Sequence, residues 1–213
     1  MRIGIDIDGV INDLERFRAD YGSKFGREFG KGHMINPEQY AIADAFGWET
    51  EKRDAFWRSY LIDMVEQKPR RFVKEILRKL KMEGHEIYIL TARNNEGFEN
   101  SKYDGMMPKL VENWLTKHYL VYDHIVYTNG NKDAYCKEHQ IEVMVEDKPD
   151  NVVTISKNIP VICYDAIYNH ALTGEHIYRA YSWYDVYDCV VKIQQEKEKI
   201  NEMKKRMEEA SHR

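Results

Sequence analysis

The sequence predicts an α/β fold, a doubly wound parallel sheet of five strands with a helical cap inserted after the first strand. Three observations lead there. Short apolar runs alternate with stretches of helical periodicity, the pattern of crossover units that lay parallel strands side by side. The first run, Ile3-Gly4-Ile5-Asp6-Ile7-Asp8-Gly9-Val10, closes on two carboxylates and a glycine. The segment from Asn12 to Lys68 is too long and too aromatic for a single crossover, so it reads as an inserted helical unit.

Each element follows from its local pattern. The strands are expected at Arg2 to Ile7, Glu86 to Thr91, His124 to Tyr127, Glu142 to Glu146 and Pro160 to Tyr164. Phe72, Ile76, Leu77 and Leu80 mark one crossover helix by their i, i+4, i+5, i+8 spacing, and Leu110, Val111, Trp114 and Leu115 mark another. Lys132 to Gln140 and Asp150 to Lys157 supply the rest, the second capped by Asp150 or Asn151. In the insertion, Tyr21, Phe25 and Phe29 recur at helical spacing, and Phe56, Trp57 and Tyr60 fall in a second helix beyond the linker from Gly30 to Pro37. The expected organisation is therefore a core over residues 1–11 and 69–184, a cap over 12–68, and a charged C-terminal helix and tail over 185–213. Ile193, Ile200, Met203 and Met207 form a partial heptad in that tail, which makes it the expected contact for a homo-oligomer.

Composition narrows the function. The 213 residues carry 36 acidic and 32 basic side chains mixed along the chain, for a formal net charge of −4, so no basic field for a nucleic acid polymer is evident. An acidic substrate would have to be held by a local site. The three cysteines, Cys136, Cys163 and Cys189, are far apart and show neither a disulfide framework nor a zinc pattern. The eight histidines lack metal-ligand spacing. With no basic-then-apolar leader and no apolar run of bilayer length, the expected location is the cytoplasm, away from membranes.

The chemistry concentrates at one edge. Two aspartates two residues apart on a strand leave the same face, and burying both is costly without a partner, for which a divalent cation held by oxygen ligands is the natural choice. Gly9 lets the backbone turn sharply beside them. Ligand sites in doubly wound sheets lie at the carboxyl ends of the strands, where Asp6, Asp8, Thr91, Glu146 and Asp147 all fall.

Four pieces occur in order: Asp6-Ile7-Asp8-Gly9-Val10, Leu90-Thr91-Ala92-Arg93, Asn131-Lys132, and Val145-Glu146-Asp147-Lys148-Pro149-Asp150-Asn151. Together they resemble the motifs of the haloacid dehalogenase-like phosphohydrolases, whose Rossmann-like sheet carries them at successive strand ends. With Tyr168-Asn169, the set is similar to the deoxyribonucleotidase branch, which bears a helical cap after its first motif. The resemblance implies Asp6 as nucleophile and Asp8 as general acid and base. It implies Mg2+ among Asp6, the backbone carbonyl of Asp8 and a carboxylate of Glu146-Asp147, either of which could be the ligand. Side chains one apart on a strand point oppositely, so one is expected on the metal while the other anchors Lys132 or a metal-bound water. Lys132, the Thr91 hydroxyl and the backbone amides from Ala92 onward would hold the substrate phosphate. Arg93 either joins them or pairs with Glu96 or Glu99.

The implied activity is a magnesium-dependent phosphomonoesterase acting on a small phosphorylated substrate, with nucleoside monophosphates first. Sugar phosphates are the competing substrates, and a phosphate- or partner-binding module without catalysis is the competing class. Tyr21, Phe25, Tyr40, Phe46, Trp48 and Trp57 could stack a base or could fill the cap's own core.

Overall fold

The structure, a computed structural model, describes residues 1–94 and 104–211. The strands are β1 (Arg2–Ile5), β2 (Glu86–Thr91), β3 (His124–Tyr127), β4 (Val143–Glu146), β5 (Val161–Tyr164) and β6 (Ile177–Ala180). They form one parallel sheet in the order β3-β2-β1-β4-β5-β6. The sheet thus has six strands where the sequence predicts five. The added strand, Ile177-Tyr178-Arg179-Ala180, sits at the edge with only Ala180 fully buried, so it lacks the apolar run that reveals the others.

Side-chain alternation fills both faces. Ile3, Ile5, Ile87, Ile89, Val143 and Val145 pack beneath α4 (Val73–Met82), α5 (Met107–Lys117) and the start of α8 (Trp183–Ser211). Leu90, Met144, Val161 and Cys163 pack on the opposite face with Cys136 of α6 (Lys132–Glu138) and with Val152 and Ile155 of α7 (Pro149–Ile155). The helix expected at Asp150 begins one residue earlier, at Pro149, without a side-chain cap, because proline is preorganised for the first helical position. Asn151 is turned instead to the site described below.

The C-terminal helix also differs from expectation. Val186, Val190 and Ile193 are buried against the sheet, so the first turns of α8 belong to the main core. Of the partial heptad, only Ile200, Met203 and Met207 stay exposed.

Between β1 and α4 lie α1 (Leu14–Gly26), α2 (Ile42–Phe46) and α3 (Thr50–Val65). They enclose their own apolar cluster, in which Phe46, Trp48 and Phe56 are buried and Tyr21 and Phe25 half-buried. α1 crosses α2 closely: a Cβ on Gly22 would lie 2.5 Å from the Phe46 ring. Tyr40 and Trp57 instead line a cavity between these helices and the sheet edge.

Candidate active site

Strand order sets the position of the site. The chain leaves β1 toward β2 and β3, then returns to the other side for β4, so the ends of β1 and β4 flank the switch point. Ile5 is level with Ile89 and Val145, which puts Asp6 and Glu146 one residue past that level and Thr91 and Asp147 two past it.

Pairing in β1 stops at Ile5, two residues before the predicted end, and the chain enters an irregular turn over 7–11. Asp6 is still tied to β4, its N–H donating to the Val145 carbonyl at 3.0 Å. Gly9 takes φ +83°, and a Cβ there would lie 1.9 Å from Asp147 Oδ2, so any larger residue would collide with that carboxylate. Asn12 closes the turn, its Oδ1 accepting from Gly9 N–H and its Nδ2 donating to Asp8 Oδ1. Arg70 braces it from outside through the carbonyls of Gly9 and Asn12.

Lys132, at the first position of α6, is 2 % exposed and bridges Asp6 Oδ2 at 2.7 Å and Glu146 Oε2 at 2.9 Å. Glu146 is saturated: Oε1 accepts from the N–H groups of Asp147 and Lys148, and Oε2 also accepts from Asn151 Nδ2. These donors hold its pKa down against the upward push of burial. Asp147 differs. Its Oδ2 accepts from the Tyr168 hydroxyl, while its Oδ1 is buried with no partner. Burial, with Glu146 and Asp6 nearby, drives its pKa well above the carboxylate range. Asp6 is pushed up to about 8 by burial, although Lys132 opposes the shift.

Asp6, Glu146 and Asp147 each present an oxygen within 4.8 Å of the others. With all three carboxylates ionised against one lysine the cluster would carry two negative charges, which burial resists, and among the described residues the only oxygen of the three without a donor is Asp147 Oδ1. This donor set fits a hard divalent cation such as Mg2+, to which Asp147 would offer its free oxygen while Glu146 pairs with Lys132.

Asp8 is not one of the three clustered carboxylates and accepts a bidentate pair from Arg93, at 2.9 Å from Nε and 2.6 Å from Nη2. Burial would raise the Asp8 pKa, but the Arg93 charge prevails and lowers it. Arg93 is 4 % exposed, with Nη1 unpartnered. Its expected alternative partners Glu96 and Glu99 lie outside the described residues. Thr91 is buried at the end of β2, its hydroxyl oxygen accepting from Arg93 N–H at 3.1 Å, and Ala92 lines the cavity.

Several contributors escaped the sequence reading. Asn12 and Arg70 brace the turn after β1, Asn12 also donating to Asp8, and nothing in their spacing marks them; Asn151 entered as a motif residue and a helix cap, yet it donates to Glu146. Tyr168 entered only as part of a motif, yet it holds Asp147, while Asn169 Nδ2 holds the Asp147 carbonyl at 2.7 Å. Arg18 of α1 is 2 % exposed and lines the cavity. Its place on the apolar Leu14-Phe17-Arg18 face of a helix was a readable signal.

Residues 1–196 match the family described as 5' nucleotidase, deoxy (pyrimidine), cytosolic type C protein. A Bacillus cereus protein that bears a provisional nucleotidase name is 30% identical over 200 residues, covering 90% of this chain and 99% of its own. A nucleotidase of Clostridium acetobutylicum is 26% identical over 205 residues, covering 94% and 98%. Among solved structures, a phosphatase of C. acetobutylicum, so assigned by prediction, superposes with a TM-score of 0.61 at 13% identity, covering 90% of this chain and 98% of that one. A haloacid dehalogenase-like hydrolase of Streptococcus pneumoniae gives 0.56 at 16%, covering 89% and 97%. These two show the shared fold, and the full-length family match carries the assignment: the chain belongs to the cytosolic type C 5' nucleotidase family of haloacid dehalogenase-like hydrolases, a phosphoric monoester hydrolase of the 5'-nucleotidase kind.

Proposed function

We propose that this chain is a magnesium-dependent phosphomonoesterase that works through an aspartyl-phosphate on Asp6 and acts on nucleoside monophosphates. The observation that carries the reading is the buried, unpartnered Asp147 Oδ1 inside a cluster of three carboxylates served by one lysine, next to a cavity of about 820 Å³. Such a volume suits a nucleotide. Tyr40, Trp57 and Tyr168 give its wall aromatic surface, and the names of the family and of the relatives point the same way.

Asp6 attacks phosphorus with a carboxylate oxygen, and the bond from phosphorus to the leaving oxygen breaks. Lys132, fixed between Asp6 and Glu146, offers positive charge to the phosphoryl oxygens without reorganising, and the Thr91 hydroxyl donates to one of them. Asp8 protonates the leaving oxygen, then takes a proton from the water that attacks the aspartyl-phosphate and restores the Asp6 carboxylate. Held by Arg93, Asp8 is ionised and suited to the second step. For the first, the substrate phosphate draws Arg93 across through its free Nη1, which lets Asp8 keep a proton. Asp6, the Asp8 carbonyl and Asp147 would hold magnesium, which when bound would supply the charge that lets an anionic nucleophile meet a phosphate dianion.

The test is phosphate release across nucleotides and sugar phosphates, with and without magnesium, for the native protein and Asp6→Asn. Magnesium-dependent release from nucleotides that disappears in a folded Asp6→Asn protein is expected. Preference for hexose phosphates would overturn the substrate class, and activity within about tenfold of native in Asp6→Asn would overturn the covalent route.

A further inference from the structure

The cavity wall formed by α1 holds a second buried arginine, and its pairing is incomplete. Arg18 projects from α1 with its guanidinium carbon 5.2 Å from the centre of the Tyr168 ring. Nη2 donates to the Gln39 carbonyl at 2.6 Å, whereas Nε and Nη1 are buried with no acceptor. Other arginines withdrawn from solvent meet a carboxylate: Arg93 pairs with Asp8, Arg70 with Asp13, and Arg179 with Asp165. Among the described residues no carboxylate forms an ion pair with Arg18. Burying a charge without a carboxylate in contact is expensive, and burial pulls its pKa down although Tyr168, Tyr40, Glu15 and Asp147 oppose the shift from a distance.

Arg18 shares the cavity with Asp8 and Arg93, so an occupant whose phosphate sits beside Arg93 extends toward α1. A guanidinium is donor-only and planar, which matches an oxyanion better than an amino-bearing edge. The wall carries charge of both signs, with Arg53 and Lys148 beside Glu38, Asp44 and Asp150. Lys148, also on the cavity wall, lies 5.6 Å above the Tyr40 ring, and Tyr40 packs edge-on against Tyr168 at 5.2 Å.

Building on the phosphomonoesterase reading, we infer that Arg18 is a specificity residue for substrates that carry a second oxyanion, a phosphate or a carboxylate, besides the scissile phosphate. The substrate brings the acceptor that the described residues do not supply to Nε and Nη1, so these nitrogens are satisfied only in the complex.

Two matched pairs of compounds test this: a nucleoside 5'-monophosphate against its 3',5'-bisphosphate, and propyl phosphate against 2-carboxyethyl phosphate. Affinities are measured by calorimetry with magnesium on the Asp6→Asn protein, where turnover does not interfere, and phosphate release is followed on the native protein. The two-anion member of at least one pair is expected to bind about tenfold or more tightly, the scale of a hydrogen-bonded charge pair. The pair that responds tells phosphate from carboxylate. Arg18→Gln in the same background should collapse that preference, and Arg18→Lys, which keeps the charge but not the fork, should retain part of it. Equal affinity within both pairs, or a preference that survives Arg18→Gln, overturns the inference. Should Arg18→Gln fail to fold, the comparison within pairs on the unsubstituted cap still decides. Preference confined to the carboxylate pair, with no nucleotide binding, would sink the nucleotide reading and leave the role of Arg18 standing. Nucleotide turnover without any two-anion preference would do the reverse.

Discussion

Gly9→Ala isolates the contact on which the site's geometry depends. The added Cβ would lie 1.9 Å from Asp147 Oδ2, so reaching the 3.4 Å of ordinary contact needs a shift of about 1.5 Å. Neither side has room to give. Asp147 is held through Oδ2 by Tyr168 and through its carbonyl by Asn169, while the turn is held at both Gly9 N–H and Gly9 carbonyl by Asn12 and Arg70. The left-handed backbone at Gly9, φ +83°, adds about 1–2 kcal/mol for a residue with a Cβ. Breaking one hydrogen bond to a carboxylate adds about 1.5–3 kcal/mol. The expected loss is therefore about 2.5–5 kcal/mol, a fall in Tm of roughly 5–20 °C for a chain of this size. Gly84→Ala is the internal control, because Gly84 has the same φ of +83° with nothing within 4 Å. It should lose only the backbone part, a few degrees, and keep full activity. Thermal unfolding by circular dichroism, with phosphate release measured alongside, reads both. If Gly9→Ala melts no lower than Gly84→Ala and still releases phosphate, the approach of the turn to Asp147 does not organise the site.

Tyr168→Phe removes the donor to Asp147 Oδ2 with almost no change in shape, and should weaken magnesium binding about 10–100-fold by calorimetry; unchanged affinity would mean that Tyr168 only packs. Asp147→Asn should abolish magnesium binding while the fold persists, whereas Glu146→Gln should cost stability by weakening the hold on Lys132, and the opposite pattern would exchange the roles assigned to the two residues. Because the Asp6 pKa is raised to about 8 by burial, its proton stabilises the ligand-free fold below the unfolded value of 3.8, and that contribution is lost as pH rises through about 8. Magnesium must displace this proton and the one that burial favours on Asp147, so its affinity should climb as pH rises toward and through about 8, a slope that Asp6→Asn should reduce in calorimetric titrations.

What the sequence disclosed depends on how locally each feature is encoded. Asp6, Asp8, Thr91 and Lys132 could be found because strand alternation and topology fix where strand ends and helix starts must lie, whatever the loops do. The strand β6 was hidden because an edge strand with intermediate burial needs no apolar run. The division of labour between Glu146 and Asp147 was hidden for another reason. Adjacent carboxylates at a strand end are equivalent on paper, and only the donors that arrive from residues 132, 151 and 168 distinguish them. The aromatic cap residues split in the same way: Phe46 and Trp48 filled the cap's own core, and Tyr40 and Trp57 faced the cavity, a choice made by tertiary packing and not by spacing.

Arg18 and Arg93 show how charge divides the protein's tasks. Both are nearly excluded from solvent on one cavity, and both carry unpartnered guanidinium nitrogens, but only Arg93 has a carboxylate of its own. The chemical end of the cavity is close to self-sufficient: with Asp8 answered by Arg93 and Glu146 by Lys132, what remains is the deficit that a divalent cation fills. The cap end is not. Among the described residues Arg18 has no ion pair and two guanidinium nitrogens without an acceptor, so on the inference drawn above the energy that tells one phosphoester from another would reside in a helix that takes no part in bond breaking. A substrate that satisfies both ends gains binding from the cap and turnover from the core, and this separation lets one sheet serve many leaving groups through changes in the insertion alone.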